Sequence, residues 1–275
     1  MPLTDAPLIS PLAQIAHDVA IGEGCRIAPG VVIGPGTQLA DGVKIEQEVR
    51  LGENNKIGVG TVIKTGTQIG NDNQIAEYGI VGGPPLVSGT SQPQGRLCIG
   101  NRNVIREFAT IQIGTGVDGV TCIGNDNYIM PNVQIGHDSR VGNQTTLTNK
   151  TALCGHVTIE DQVVLGLGVA IHQRCRIGRL AMVGATAYVS RDVAPYVLVD
   201  GRSGRIVGLN KTGLRRRGYS QSVISELKSA YRVIFREDLN REEIIARLQN
   251  HSCEEVQEML SFLATSSRGL EQARK

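Results

Sequence analysis

Aliphatic residues recur every six positions from Ile9 to about Ala194. The leading residue of each hexad runs from Ile9, Ile15 and Ile21 through Ile75, resumes at Ile99, Ile105 and Ile111, and resumes again from Ile123 to Val189. All 27 leading positions hold Ile, Leu or Val. Four residues after each, the side chain is small, β-branched or Asn: Ala13, Val19, Cys25, Val31, Thr37 and onward to Val193. A strand repeats about every 2 residues and a helix about every 3.6, so neither produces this period. Hexapeptide repetition of this kind marks a parallel β-helix.

Three hexads, 18 residues, would close one triangular coil. The leading aliphatic points into the prism and the fifth residue fills the space near the corner. Each coil touches only its neighbours, so stability is built as a stack. Burying one such side chain contributes about 1.5–3 kcal/mol before entropy is charged. Gly follows the leading residue at Gly22, Gly34, Gly52, Gly100, Gly136, Gly184 and elsewhere, and Asn takes the fifth position at Asn55, Asn73, Asn103 and Asn127. Both residue types suit the left-handed backbone that a sharp corner can demand.

Two stretches break the period. Residues 83–98 are turn-rich and are expected to loop out; residues 114–122 form a shorter Gly-rich interruption. Loops ejected from a regular scaffold often build a site. The repeat ends near Asp192-Val193-Ala194-Pro195, and from Ser220 the period becomes helical, with Val223, Ile224, Leu227, Ala230, Tyr231 and Ile234 on one face. Ser220 fits an N-cap, and Asn240 with Glu243 and Ser252 with Glu255 fit capping boxes. The chain therefore divides into a β-helix over 1–199 and a helical appendage over 200–275.

Composition narrows the function. Zero Trp and 3% aromatics fit a prism too thin for large rings. A net charge of +2 argues against general nucleic-acid binding. No run of 18 apolar residues offers a membrane span. Met1-Pro2-Leu3-Thr4-Asp5 lacks a basic region followed by an apolar run, so no signal peptide is read. Six scattered cysteines without a C-x-x-C spacing point to core thiols and a cytoplasmic location.

The 18-residue coil locates the candidate chemistry. Ile135, Leu153 and Ile171 stack on one face, and His137, His156 and His172 follow them. With Asp138 and Gln173, one edge is expected to carry three imidazoles, a carboxylate and an amide. Histidine is the usual general base near neutral pH, and a carboxylate can orient it. Three histidines could also bind zinc; surface histidines at solenoid corners are the bland alternative. A second cluster is basic: Arg202, Arg205, Lys211, Arg215, Arg216 and Arg217. It is either a solvated face or a contact for phosphate or an acidic protein.

The segments Ile135-Gly136-His137-Asp138, Leu153-Cys154-Gly155-His156-Val157 and Val169-Ala170-Ile171-His172-Gln173 resemble the acyl-[acyl-carrier-protein]–UDP-N-acetylglucosamine O-acyltransferases of lipid A synthesis. Ile105-Arg106-Glu107, Asp192-Val193-Ala194-Pro195-Tyr196-Val197 and Gly213-Leu214-Arg215-Arg216-Arg217-Gly218-Tyr219 carry the same resemblance. The resemblance implies a left-handed β-helix, a homotrimer with sites between neighbouring prisms, acyl carrier protein as donor and a UDP-amino sugar as acceptor, with no metal and no cofactor. It implies His137 as general base, Asp138 as its orienting partner and the Gly155 N–H as oxyanion donor. His156, His172, Gln173, Asn210, Arg216 and Arg217 would hold the sugar nucleotide, and Ala185 would set acyl length.

Three positions depart from that family's pattern. Gln134 replaces a histidine three residues before the base, Gln112-Ile113-Gly114-Thr115 replaces a His-Arg-Gly-Thr segment, and Gly82-Gly83-Pro84-Pro85-Leu86-Val87 replaces a Gln-Asp-Leu-Lys-Tyr loop. The expected activity is transfer of a 3-hydroxyacyl-type chain to the sugar 3-hydroxyl. The alternatives are acylation of another nucleotide sugar, on oxygen or nitrogen, and a non-catalytic trimeric scaffold.

Overall fold

The structure is a computed structural model that describes residues 7–87 and 94–273. Residues 1–6, read above for a signal peptide, and residues 88–93 of the first interruption lie outside the described residues. Short strands stack into three sheets of 10, 9 and 11 strands, parallel throughout except at the end of the eleven-stranded one, and within the prism each strand pairs with the third one before and after it. Regular coils pair residues 18 apart, as in Gln134↔Ala152 and Ile135↔Leu153. Backbone bonds link the coils, for example Gly136 N–H to Leu153 O at 2.9 Å. The leading aliphatics from Ile27 onward and the apolar residues at the fifth position, such as Val31, Ala109 and Val157, are buried in one continuous core.

The corners differ from the sequence reading in their cause. Positive φ falls on the fourth residue of the hexad, at Gly24, Gly36, Asn54, Asp138, His156 and others. The glycines at the second position are not left-handed. They are required by space: a Cβ on Gly100 would lie 2.7 Å from the Gly124 carbonyl oxygen of the next coil. Asn55, Asn73, Asn103 and Asn127 are likewise not left-handed. They point inward and form a ladder, with the N–H groups of Asn73, Asn103 and Asn127 each donating to the Oδ1 below at 2.9–3.0 Å. Buried polar side chains need such partners.

Both interruptions are narrower than their sequence boundaries. Arg96–Ile99 and Val120–Ile123 are strands in register with the nine-stranded sheet, and Leu97 and Thr121 are fully buried. Among the described residues, 84–87 and a tight hairpin over 113–119, whose exposed tip is 116–118, lie outside the sheets. The thiols also divide differently. Cys25 and Cys175 are core residues, whereas Cys98, Cys122 and Cys253 are half-buried and Cys154 is exposed; all six are free.

The last sheet crosses the 199/200 boundary, because Ile206–Leu209 pairs antiparallel with Val197–Val199. Four helices follow: α1 (Lys211–Arg216), α2 (Gln221–Phe235), α3 (Arg241–Leu248) and α4 (Glu254–Thr265). Ser220 caps α2, and Asn240 and Glu243 form a capping box on α3. Cys253 rather than Ser252 is the N-cap of α4 and makes no side-chain cap bond. Asp192 seals this unit to the prism: its carboxylate accepts from Arg176 N–H at 2.8 Å and from Ser266 Oγ at 2.7 Å.

Candidate active site

His137 and Asp138 occupy the corner that follows strand Gln134–Ile135 of the ten-stranded sheet. The left-handed backbone of Asp138, φ 58°, turns its carboxylate back along the corner. Its Oδ2 lies 2.9 Å from His137 Nδ1 and 3.8 Å from His156 Nε2. The two imidazoles meet edge to face, with centroids 5.1 Å apart. Gly155, one coil on, lies against the His137 ring: a Cβ there would overlap Cε1 and Nε2.

Several groups that hold this pair were not among the site residues read from the sequence, although Gln112 and Thr115 belong to a segment matched to the family pattern and Thr115 and Thr121 to the second interruption. Thr115 donates to Asp138 from its N–H (3.1 and 3.2 Å) and its hydroxyl (2.7 Å). Thr121 Oγ1 accepts the Asp138 N–H at 2.9 Å. Gln112, 5% exposed, accepts the N–H of His137 at 3.1 Å and that of Leu86 at 3.4 Å on one oxygen. Burial raises the pKa of the Asp138 carboxyl, but the bonds from His137 and Thr115 outweigh it and hold it below the ordinary value. His156 is pushed below the ordinary histidine value by burial, helped by Arg174 and His137 and opposed by Asp138.

The ligand atoms of His137, Asp138 and His156 lie within 4.8 Å of one another, close enough to share a metal ion. Asp138 Oδ2 is already engaged by His137 Nδ1 and the Thr115 hydroxyl, which favours a hydrogen-bonded acid–base pair over ligation. A neutral imidazole whose Nδ1–H donates to a carboxylate leaves Nε2 to accept a proton.

The remaining sequence-selected residues do not all converge. His172 and Gln173 share the histidine edge one coil further on, where the His172 ring faces Tyr188 at 6.3 Å. Asn210 caps α1 through Gly213 N–H and donates to Leu180 O at 3.0 Å. Arg217 reaches Gln144 at 2.7 Å, and Arg216 is exposed beside it. Leu180 and Gln144 belong to the corner after the nine-stranded sheet, a different edge. Ala185 is exposed on the third edge, after Met182–Val183. One chain thus spreads these residues over three edges. Gln134, which replaces the family's histidine, is half-buried on the outer face of its strand.

A family model described as "Udp N-acetylglucosamine O-acyltransferase; Domain 2" matches residues 192–271, and one for bacterial transferase hexapeptides matches residues 5–35. A relative from Burkholderia orbicola (strain MC0-3), an acyl-[acyl-carrier-protein]–UDP-N-acetylglucosamine O-acyltransferase, is 41% identical over 206 residues, 72% of this chain and 78% of its own. This chain belongs to that acyltransferase family. It is an acyltransferase of the lipid A pathway. A member from Anaeromyxobacter sp. (strain K) is 44% identical over 63% of this chain and 69% of its own length. The solved UDP-N-acetylglucosamine acyltransferase of Francisella novicida superposes with a TM-score of 0.83 at 31% identity, covering 98% of this chain and 94% of that one. The O-acyltransferase of Moraxella catarrhalis RH4 also gives 0.83, at 34% identity and coverage of 97% and 98%.

Proposed function

We propose that this acyltransferase moves an acyl chain from acyl carrier protein to the 3-hydroxyl of UDP-N-acetylglucosamine, with His137 as general base. The observation that carries the reading is the 2.9 Å contact of His137 Nδ1 with Asp138 Oδ2 beside the Gly155 backbone. His137 Nε2 takes the hydroxyl proton as the sugar oxygen attacks the thioester carbonyl. Asp138 stabilises the imidazolium. The carbonyl oxygen becomes an oxyanion, which the Gly155 N–H receives; that N–H has no protein acceptor among the described residues. The carrier's sulfur then leaves and takes the proton from His137. Oxyanion stabilisation of this kind is often worth about 3–4 kcal/mol per donor.

His156, His172 and Gln173 line the same edge and contact the sugar. Asn210, Arg216 and Arg217 serve the nucleotide phosphates, and Ala185 limits acyl length. Because these groups stand on separate edges, a complete site needs edges from neighbouring copies, which supports assembly as a homotrimer; the left hand of the prism follows from the family resemblance. In this reading the prism, 1–199, supplies the chemistry and the unit over 200–275 the anion contacts. Six free thiols support a reducing cytoplasm. No described helix is long and apolar enough to cross a membrane.

The test is incubation with UDP-N-acetylglucosamine and a panel of acyl-carrier thioesters, with products read by mass spectrometry. An O-acylated UDP-sugar whose formation disappears in His137→Ala supports the reading. Full turnover by folded His137→Ala overturns it.

A further inference from the structure

The hairpin over 113–119 lies outside every segment used so far to bind substrate, yet it touches Asp138 at both ends. The strand at its exit presents Thr121 Oγ1 to the Asp138 N–H. Near its entry, Thr115 covers the carboxylate with three donor contacts of 2.7–3.2 Å. The hairpin closes tightly on itself: a Cβ on Gly114 would overlap Gly119, and one on Gly119 would overlap Thr115.

Those contacts decide which way Asp138 faces. A carboxylate on a corner can rotate about its Cα–Cβ bond, and two imidazoles compete for it, His137 at 2.9 Å and His156 at 3.8 Å. With Thr115 holding both oxygens, Oδ2 is kept on His137 Nδ1. The hydroxyl donates to the same oxygen that receives His137, so it also stabilises the ionised form.

We propose that Thr115 is a positioning residue for acyl transfer, acting through Asp138 to hold the His137 imidazole in the orientation and tautomer that leave Nε2 free to accept the sugar proton. The proposal rests on the assignment of His137 as general base. Thr115→Val removes the hydroxyl at nearly constant volume, and Thr115→Ser keeps it. A lost hydrogen bond to a charged group corresponds to about ten- to hundredfold. Thr115→Val is therefore expected to lower kcat by about that factor. Its KM for UDP-N-acetylglucosamine should stay within about twofold, because no substrate contact is removed. Thr115→Ser should restore turnover. In an Asp138→Ala background the Val substitution should cost nothing more, since the group it acts through is gone.

Wild-type kcat in Thr115→Val, or an equal loss in the Asp138→Ala background, overturns the proposal. Thr115→Ala is read in the same way and covers the case in which Val does not fold. His137→Ala run alongside separates the two levels: inactive His137→Ala with fully active Thr115→Val removes only the role of Thr115, whereas active His137→Ala removes the general-base assignment itself.

Discussion

Gly155 lies so close to the imidazole of His137 that a Cβ at 155 would overlap Cε1 and Nε2 and reach within 3.0 Å of Nδ1. The contact is made across coils, since the His156 N–H donates to His137 O at 2.8 Å. Gly155→Ala must therefore push the ring off Asp138. The expected outcome is a loss of kcat of at least about a hundredfold, the scale of a misplaced base or lost oxyanion donor. Circular dichroism melting should show the coil stack intact. A variant with near-normal kcat would show that the ring can move without consequence.

Gln112 ties Leu86, in the segment after Gly83, to the His137–Asp138 corner, because one side-chain oxygen accepts from Leu86 and His137. Gln112→Ala leaves those N–H groups without their acceptor, at about 1–3 kcal/mol for each that stays buried. Loss of both stability in urea unfolding and kcat is expected. Gln112→Glu keeps the acceptor oxygen and should recover most of the turnover.

His156 should titrate below the ordinary histidine value, chiefly because burial disfavours its charged form. Arg174 disfavours its protonation, so Arg174→Ala should move the midpoint up. Asp138 favours protonation, so Asp138→Asn should move it down. NMR titration of the ring measures both shifts. Opposite signs would mean that the local field is set by other groups.

Asn103 sits mid-ladder. It donates to Gly124 O at 2.9 Å and accepts from Asn127 N–H at 3.0 Å. Asn103→Ala leaves these buried groups without partners and should cost about 3 kcal/mol. Chemical denaturation checks the value. Activity per folded molecule should be unchanged, because the ladder runs along a corner other than that of His137.

The period of six by itself determined the coil, its register of 18 and the identity of nearly every buried aliphatic, because a solenoid buries residues by local spacing. It also placed His137, Asp138 and His156 on one edge, since stacking follows from counting coils. The helix caps at Ser220 and Asn240 were legible for the same local reason. Tertiary structure alone decided why the second-position glycines are small, since the obstacle is the backbone of the next coil rather than their own φ. It alone turned Asn55, Asn73, Asn103 and Asn127 into a ladder. It also set Gln112, Thr115 and Thr121 on the His137–Asp138 pair from 23–25 and 17 residues away. Those contacts are made where the repeat is broken, so no period predicts which residue of the hairpin returns to the corner. The separation of Arg217, Ala185 and His137 onto three edges likewise depends on the closed triangular cross-section, because residues distant around a coil share no local signal.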